Sequence, residues 1–230
     1  MQKVFSLAED FLSLLFPNLC ASCAAKLYQN EKVICSRCLY ALPKTNFHKD
    51  KENPVASLFW GRVKIEYATA FYYFNKGSRF RKLIHKLKYE GHHEIGYELG
   101  LHFGTSLKNS CFDAATCIVP VPLHPSKERK RGYNQSEMIA KGMSEAMGLP
   151  VKNKNLIRNI ASSTQTRKSR YDRWKNVEHI FSLRDREKLS NEHILLVDDV
   201  ITTGATIEAC TNELLTAEKT NVSVATLAVA

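Results

Sequence analysis

Two adjacent carboxylates, Asp198 and Asp199, end the apolar run Ile194 to Val197, and after Val200 and Ile201 comes a run of small and hydroxyl-bearing residues, Thr202, Thr203, Gly204, Ala205 and Thr206. Small side chains let backbone N–H groups converge on an anion, and a helix N-terminus just beyond adds roughly half a positive charge. The threonine hydroxyls donate as well. Carboxylates one step earlier would repel a phosphate at close range, but as ionised acceptors they suit hydroxyl groups. A ligand that satisfies both has a phosphate at one end and hydroxyls a few Å away, which is the layout of a ribose 5-phosphate.

Other readings compete for the same residues. Paired acids after an apolar strand occur in nucleotide-hydrolysing P-loop proteins, but no GxxxxGK run precedes these. Receiver domains place such acids near the start of a domain of about a hundred residues or more, whereas 24 residues follow Thr206 here. A purely structural turn is the third reading, although two acids and three threonines around one glycine make an odd one.

For the chemistry to work, the acids must sit at the C-terminal end of a buried strand and the loop must open a helix. The apolar run supplies the strand, and Ile207, Cys210 and Leu214 share one helical face after the loop. A second strand-loop-helix unit precedes it. Cys117 to Val119 reads as a buried strand, Pro120, Pro122 and Pro125 make the PVPLHP segment a stiff loop, and the cations Lys127, Arg129, Lys130 and Arg131 follow. Ile139, Gly142, Met143 and Ala146 then mark a helix closing at Gly148. Its cationic tip would suit a pyrophosphate.

Ala68 to Asn75 is an aromatic-rich strand leading to a helix marked by Phe80, Leu83, Ile84 and Leu87. That helix carries Arg79, Arg81, Lys82, His85, Lys86 and Lys88, either as a solvated face or as a surface that closes over a polyanion. From Leu156 to Asn176 the chain turns basic and polar, the pattern of a loop that orders on an anion or of a plain solvated loop. Phe181 to Leu183 begins a short strand, and Val222 to Val229 supplies the last one. His85 and His124 are present as bases, but lone histidines are more often structural.

At 230 residues the chain holds one full domain and a small satellite. Its net charge of +10 favours polyanionic ligands, with nucleic acid and anionic lipid both qualifying. The satellite is marked by Cys20, Cys23, Cys35 and Cys38, two CxxC pairs separated by 11 residues. Each pair presents two thiolates to one ion, and two pairs complete the tetrahedral set that Zn²⁺ takes at ~2.3 Å. A redox CxxC is the alternative, but it would occur once, in a βαβ context. Residues 1–47 are therefore expected to form an N-terminal helix and a closed, structural zinc ribbon, and the polar stretch Lys44 to Pro54 a linker.

Val4, Ala8, Phe11, Leu12 and Leu15 fall at helical spacing in the first 15 residues. This helix either packs on its own protein or lies on a membrane surface, and Glu9 and Asp10 give the second option little support. No secretory signal or transmembrane run is visible, so a cytoplasmic location is expected, with peripheral contact at an inner membrane as an option.

The stretch VDDVITTGAT closely resembles the fingerprint of type I phosphoribosyltransferases. The ordered set of the four-cysteine ribbon, KLKYEG at Lys86 to Gly91, VPVPLHP at Val119 to Pro125, RGYNQ at Arg131 to Gln135, TQ-to-RWKN across Thr164 to Asn176, and VDDVITTGAT at Val197 to Thr206 resembles the ComF family of competence-associated proteins. The resemblance implies an α/β fold of the type I phosphoribosyltransferase kind over residues 55–230, a mostly parallel five-stranded sheet flanked by helices. It implies that Asp198 and Asp199 hold the ribose hydroxyls of phosphoribosyl pyrophosphate (PRPP), that Thr202 to Thr206 hold its 5′-phosphate, and that Mg²⁺ accompanies it. Arg129, Arg131, Lys168, Arg170 and Arg173 would clamp the leaving pyrophosphate. It further implies a role in natural transformation, by phosphoribosyl transfer to an unspecified acceptor, by PRPP-responsive binding of single-stranded DNA, or by docking to competence machinery proteins. Tyr72, Tyr73, Tyr89 and Tyr133 are the aromatics that would stack DNA bases.

Overall fold

The computed structural model of the protein describes residues 17–28, 30–75, 78–159 and 180–230. The N-terminal helix expected over the first 15 residues, and with it the membrane-surface option, lies outside the described residues, as do Lys168, Arg170 and Arg173.

In chain order the elements are α1 (Ser36–Tyr40), α2 (Pro54–Ser57), β1 (Ala68–Tyr73), α3 (Arg79–Tyr89), α4 (His93–Leu107), β2 (Cys117–Pro120), α5 (Pro125–Arg131), α6 (Gln135–Met147), β3 (Leu156–Arg158), β4 (Phe181–Leu183), β5 (His193–Ile201), α7 (Ala205–Leu214) and β6 (Asn221–Val229). Strands β1, β6, β5 and β2 form a parallel sheet in that order. The fifth position is reduced to one rung, a parallel bridge between Ile118 and Val151 on the outer side of β2. The pairing ends there because residues 153–155 turn away directly after it. β3 and β4 pair separately as a small antiparallel ribbon.

Both faces of the sheet are buried, which explains why its strands read as continuous apolar runs rather than alternating ones. Along β5, Leu195 and Val197 pack with Leu83, Leu87, Leu99 and Ile139 of α3, α4 and α6. Ile194 and Leu196 point the other way, onto Ile207, Cys210 and Leu214 of α7 and onto Val55 and Phe59.

Helix α4 has no counterpart in the sequence reading, because its apolar face is interrupted by glycines. Those glycines are what seat it. A Cβ at Gly100 would stand 2.2 Å from the Ile139 carbonyl oxygen, and one at Gly142 would stand 2.0 Å from that of Tyr97. Only hydrogen at both positions lets the α4 and α6 backbones touch, and this contact fixes where the start of α6 meets the sheet.

The polar stretch 44–54 is not a free linker. Thr45 N–H donates to the Phe71 carbonyl at 3.0 Å and Lys44 bridges to Tyr72, so the start of this stretch pairs antiparallel with β1 before Phe47–Lys49 form a short helical turn. Buried Asn53 donates to the carbonyls of Ala68 and Asp50, both at 2.7 Å, and caps α2 by accepting from Val55 and Ala56 N–H. The ribbon core, Cys20, Leu27, Ile34, Cys35, Cys38 and Leu42, is continuous with Phe71 and Tyr72 of β1. Among the described residues no helix is long and apolar enough to cross a membrane.

Candidate functional site

The connection leaving β5 passes through α7 to β6 on one side, whereas that leaving β2 passes through α5 and α6 to Val151 on the other. The two loops diverge above the C-terminal ends of β5 and β2. In open α/β sheets this divergence is where a crevice opens for a ligand.

Asp198 and Asp199 occupy the end of β5 at this point, both partly buried. Asp198 Oδ1 accepts from Ser136 Oγ at 2.8 Å and from the Asp199 N–H at 2.9 Å. Burial, followed by the charge of Asp199, pushes the Asp198 carboxyl up from 3.8 to about 7, against the pull of Ser136, the Asp199 N–H and Lys88. Asp199 Oδ2 pairs with Lys88 Nζ at 2.9 Å. Ser136 is set by its neighbour Asn134, which accepts from the Ser136 N–H at 3.1 Å and donates to the Val121 carbonyl at 2.9 Å, tying α6 to the end of β2.

Thr202, Thr203, Gly204, Ala205 and Thr206 wrap from β5 into the first turn of α7 and, with Asp198, line a cavity of ≈ 50 Å³. Gly204 is the N-cap of α7 with φ of 78°, a left-handed conformation that costs other residues energy. It is buried, while the two threonines before it and Thr206 are exposed. From outside the loop, Arg62 Nη1 donates to the carbonyls of Thr203 and Leu58, each at 2.9 Å, and its Nη2 pairs with Glu208. Phe59 lies against Gly204 on the same side.

A larger cavity of ≈ 440 Å³, connected to the acid pair through Lys88, is lined by Lys88, Tyr89, Gly91, Lys127, Lys130 and Arg131. Its cations come from two elements, the end of α3 and the helix α5. The basic run after VPVPLHP is thus helical rather than a loop: Pro125 takes the first turn, His124 Nδ1 accepts from the Ser126 N–H at 3.2 Å, and Gly132 closes the helix with φ of 80°. Arg131 lies over the Tyr89 ring, 5.3 Å from its centroid. Arg129, on the same helix, is exposed and does not line this cavity.

The structure therefore brings together the acid pair, the small-residue loop and Arg131, and adds Lys88, Ser136 and Arg62, which no sequence motif singled out individually. Lys88 stood in a basic run whose members looked alike. His124 serves as a helix cap, and His85 Nδ1 meets Glu90 at 3.0 Å on the surface. Of the aromatics expected to stack bases, Tyr72 is fully buried and Tyr133 directs its hydroxyl to the Leu87 carbonyl; Tyr73 and Tyr89 remain exposed.

The sulfur atoms of Cys20, Cys23, Cys35 and Cys38 all lie within 4.8 Å of one another. Cys23 and Cys35 are 3.8 Å apart, the edge of roughly 3.8 Å that a tetrahedron of ~2.3 Å metal–sulfur bonds requires. The Cys35 N–H points at the Cys20 sulfur at 3.2 Å and Arg79 Nη1 lies 3.8 Å from that of Cys38, donors suited to thiolate charge.

Residues 135–229 match the family described as phosphoribosyl transferase domain. Competence protein F of Haemophilus influenzae is 36% identical over 92 residues, which cover 39% of this chain and 40% of that protein, less than half of its length. The DNA utilization protein YhgH of Escherichia coli is 26% identical over 207 residues, 86% of this chain and 84% of that protein. Among solved structures, a glutamine phosphoribosylpyrophosphate amidotransferase from B. subtilis aligns with a TM-score of 0.43 and 25% identity, over 59% of this chain and 26% of its own. The parallel sheet flanked by helices, the domain match over residues 135–229 and the four-cysteine cluster are those of a type I phosphoribosyltransferase fold with an N-terminal cysteine module, and the relatives named for competence and DNA utilization support the resemblance to the ComF family.

Proposed function

We propose that the protein binds PRPP together with Mg²⁺ and transfers its phosphoribosyl group to an acceptor during the uptake and handling of DNA in natural competence. The observation that carries this reading is the acid pair itself: Asp198 lines the cavity of the small-residue loop, and Asp199 is paired at 2.9 Å with Lys88, which lines the cationic cavity. Thr202 to Thr206 take the 5′-phosphate, Asp198 and Asp199 accept hydrogen bonds from the ribose hydroxyls, and Lys88, Lys127, Lys130 and Arg131 receive the pyrophosphate. Arg129, Lys168, Arg170 and Arg173 supply further cations for it. Two carboxylates beside a phosphate-bearing ligand are the oxygen donors Mg²⁺ favours, and when bound the ion neutralises pyrophosphate charge.

Displacing pyrophosphate from ribose C1 develops positive charge on the sugar and negative charge on the leaving group. The chain's share of that work is electrostatic: preplaced cations hold the departing oxygens, and ionised acids hold the hydroxyls in register. The cysteine cluster takes Zn²⁺ as a closed structural site, with four protein thiolates and no open position. The names of the relatives support the link to competence and DNA, and a cytoplasmic protein fits that link.

A second reading, a PRPP-responsive binder of single-stranded DNA without turnover, is favoured by Tyr89. It is 66% exposed, with Arg131 over its ring, at the lip of the cationic cavity, a surface able to stack a base beside a phosphate. Following pyrophosphate release from PRPP across a panel of nitrogenous bases, nucleotides and DNA tests the two. Release with any acceptor supports transfer; PRPP binding with none released across the panel would replace transfer by the binding role.

A further inference from the structure

We infer that Arg62 is a positioning residue for the anion loop, holding the Thr203 carbonyl outward so that the N–H of Gly204 is turned inward, to the ligand's phosphate. The inference rests on the reading of Thr202 to Thr206 as the 5′-phosphate loop.

In a trans peptide the carbonyl and the following N–H point in opposite directions. Arg62 lies outside the loop and does not line the cavity that the loop encloses. Its Nη1 fixes the Thr203 oxygen at 2.9 Å, which commits the Gly204 N–H to the opposite side. Gly204 is the residue at which such a peptide would otherwise turn over most readily, because without a Cβ it tolerates both signs of φ. A latch at this peptide therefore decides whether one of the donors faces the anion.

The same guanidinium has two further duties. It binds the Leu58 carbonyl at 2.9 Å, which anchors it to the segment after α2, and it pairs with Glu208 in the first turn of α7. An unpaired carboxylate there would oppose an incoming phosphate, so the pair preserves the positive field of the helix terminus. Arginine suits the role because its planar fork serves several acceptors at once, which a lysine ammonium on a flexible stem does less well.

The test uses the full chain and measures dissociation constants for ribose 5-phosphate, PRPP and pyrophosphate, with melting temperatures, in wild type, Arg62→Ala, Arg62→Lys and Glu208→Gln. For Arg62→Ala, ribose 5-phosphate and PRPP should weaken by about tenfold, the worth of one hydrogen bond to a charged group, while pyrophosphate stays within about twofold of wild type. Arg62→Lys should recover part of the loss. Glu208→Gln, which leaves the bond to Thr203 intact, should lose clearly less than Arg62→Ala. Unchanged PRPP affinity in Arg62→Ala would overturn the inference, and so would an equal loss for all three ligands, which marks a general structural defect. A loss in Glu208→Gln as large as in Arg62→Ala would overturn the carbonyl latch in favour of the charge pair. Wild type binding neither ribose 5-phosphate nor PRPP would instead remove the reading of the loop itself.

Discussion

Lys88 Nζ lies 2.9 Å from Asp199 Oδ2, joining the last turn of α3 to the end of β5. This cation stands between the two halves of the site, since it also lines the cavity proposed for pyrophosphate. Lys88→Met removes a partner from Asp199 and a charge that favours ionised Asp198. We expect PRPP affinity to fall by about tenfold, in the range for a lost hydrogen bond to a charged group, and the remaining binding to set in at higher pH. Calorimetric titration over a pH series checks both; wild-type affinity in Lys88→Met would contradict the assignment.

The Asp198 carboxyl links stability to pH. Burial and the neighbouring Asp199 raise it from 3.8 to about 7, so between those values the folded chain keeps a proton that the unfolded chain has released. The associated stabilisation is fully present below the unfolded value and is lost as pH rises through about 7. Asp198→Asn keeps an oxygen for Ser136 without the charge. Its melting temperature should exceed that of wild type at about pH 8 and converge with it at about pH 4, each kcal/mol appearing as roughly 2–4 °C. PRPP should raise the melting temperature of wild type but not of the variant. Equal melting at the higher pH would show that Asp198 titrates normally.

Gly142→Ala tests the contact that seats α6. Its new Cβ would stand 2.0 Å from the Tyr97 carbonyl oxygen, and backbone on both sides leaves nothing flexible to yield. Overpacking of this kind costs about 1–3 kcal/mol or more, and the displaced start of α6 carries Ser136 away from Asp198. Denaturant unfolding should show the loss, and melting within a degree of wild type would refute the close approach.

The parts of the site legible in the sequence were those concentrated in short stretches. The strand, acid pair, loop and helix of residues 194–214 lie in continuous order, so local pattern was enough to place Asp198, Asp199 and Gly204. Arg62 and Ser136 act from 141 and 62 residues away in sequence. Neither an isolated arginine nor a serine after Asn134 carries a local signal, and only the packing of α2 and α6 against the sheet brings them to the site. Helix α4 was missed for a related reason, since glycines that lower helix propensity are the residues its packing needs. The 44–54 stretch looked like a linker because its polarity hides Asn53, which is buried through hydrogen bonds rather than apolar contact.

The cysteine module should hold one Zn²⁺ per chain, measured by elemental analysis. Stripping it with a strong chelator should lower the melting temperature, because Cys20, Cys35 and Cys38 share a core with Phe71 and Tyr72 of β1. Arg79, which meets Cys38, stands nine residues before Lys88 on α3, about 13 Å along the helix. A structural metal at that distance should leave PRPP affinity within about twofold for protein that remains folded. Failure to find bound zinc, or loss of PRPP binding without loss of fold, would contradict the structural assignment.

The central claim is that the acid pair and its loop grip PRPP. Calorimetric titration of PRPP with Mg²⁺ into wild type and into the double variant Asp198→Asn with Asp199→Asn tests it most directly. Saturable binding at one site per chain in wild type, abolished in a double variant that melts cooperatively, is the predicted result. Absence of binding to wild type across millimolar PRPP, or equal binding by both proteins, would contradict it.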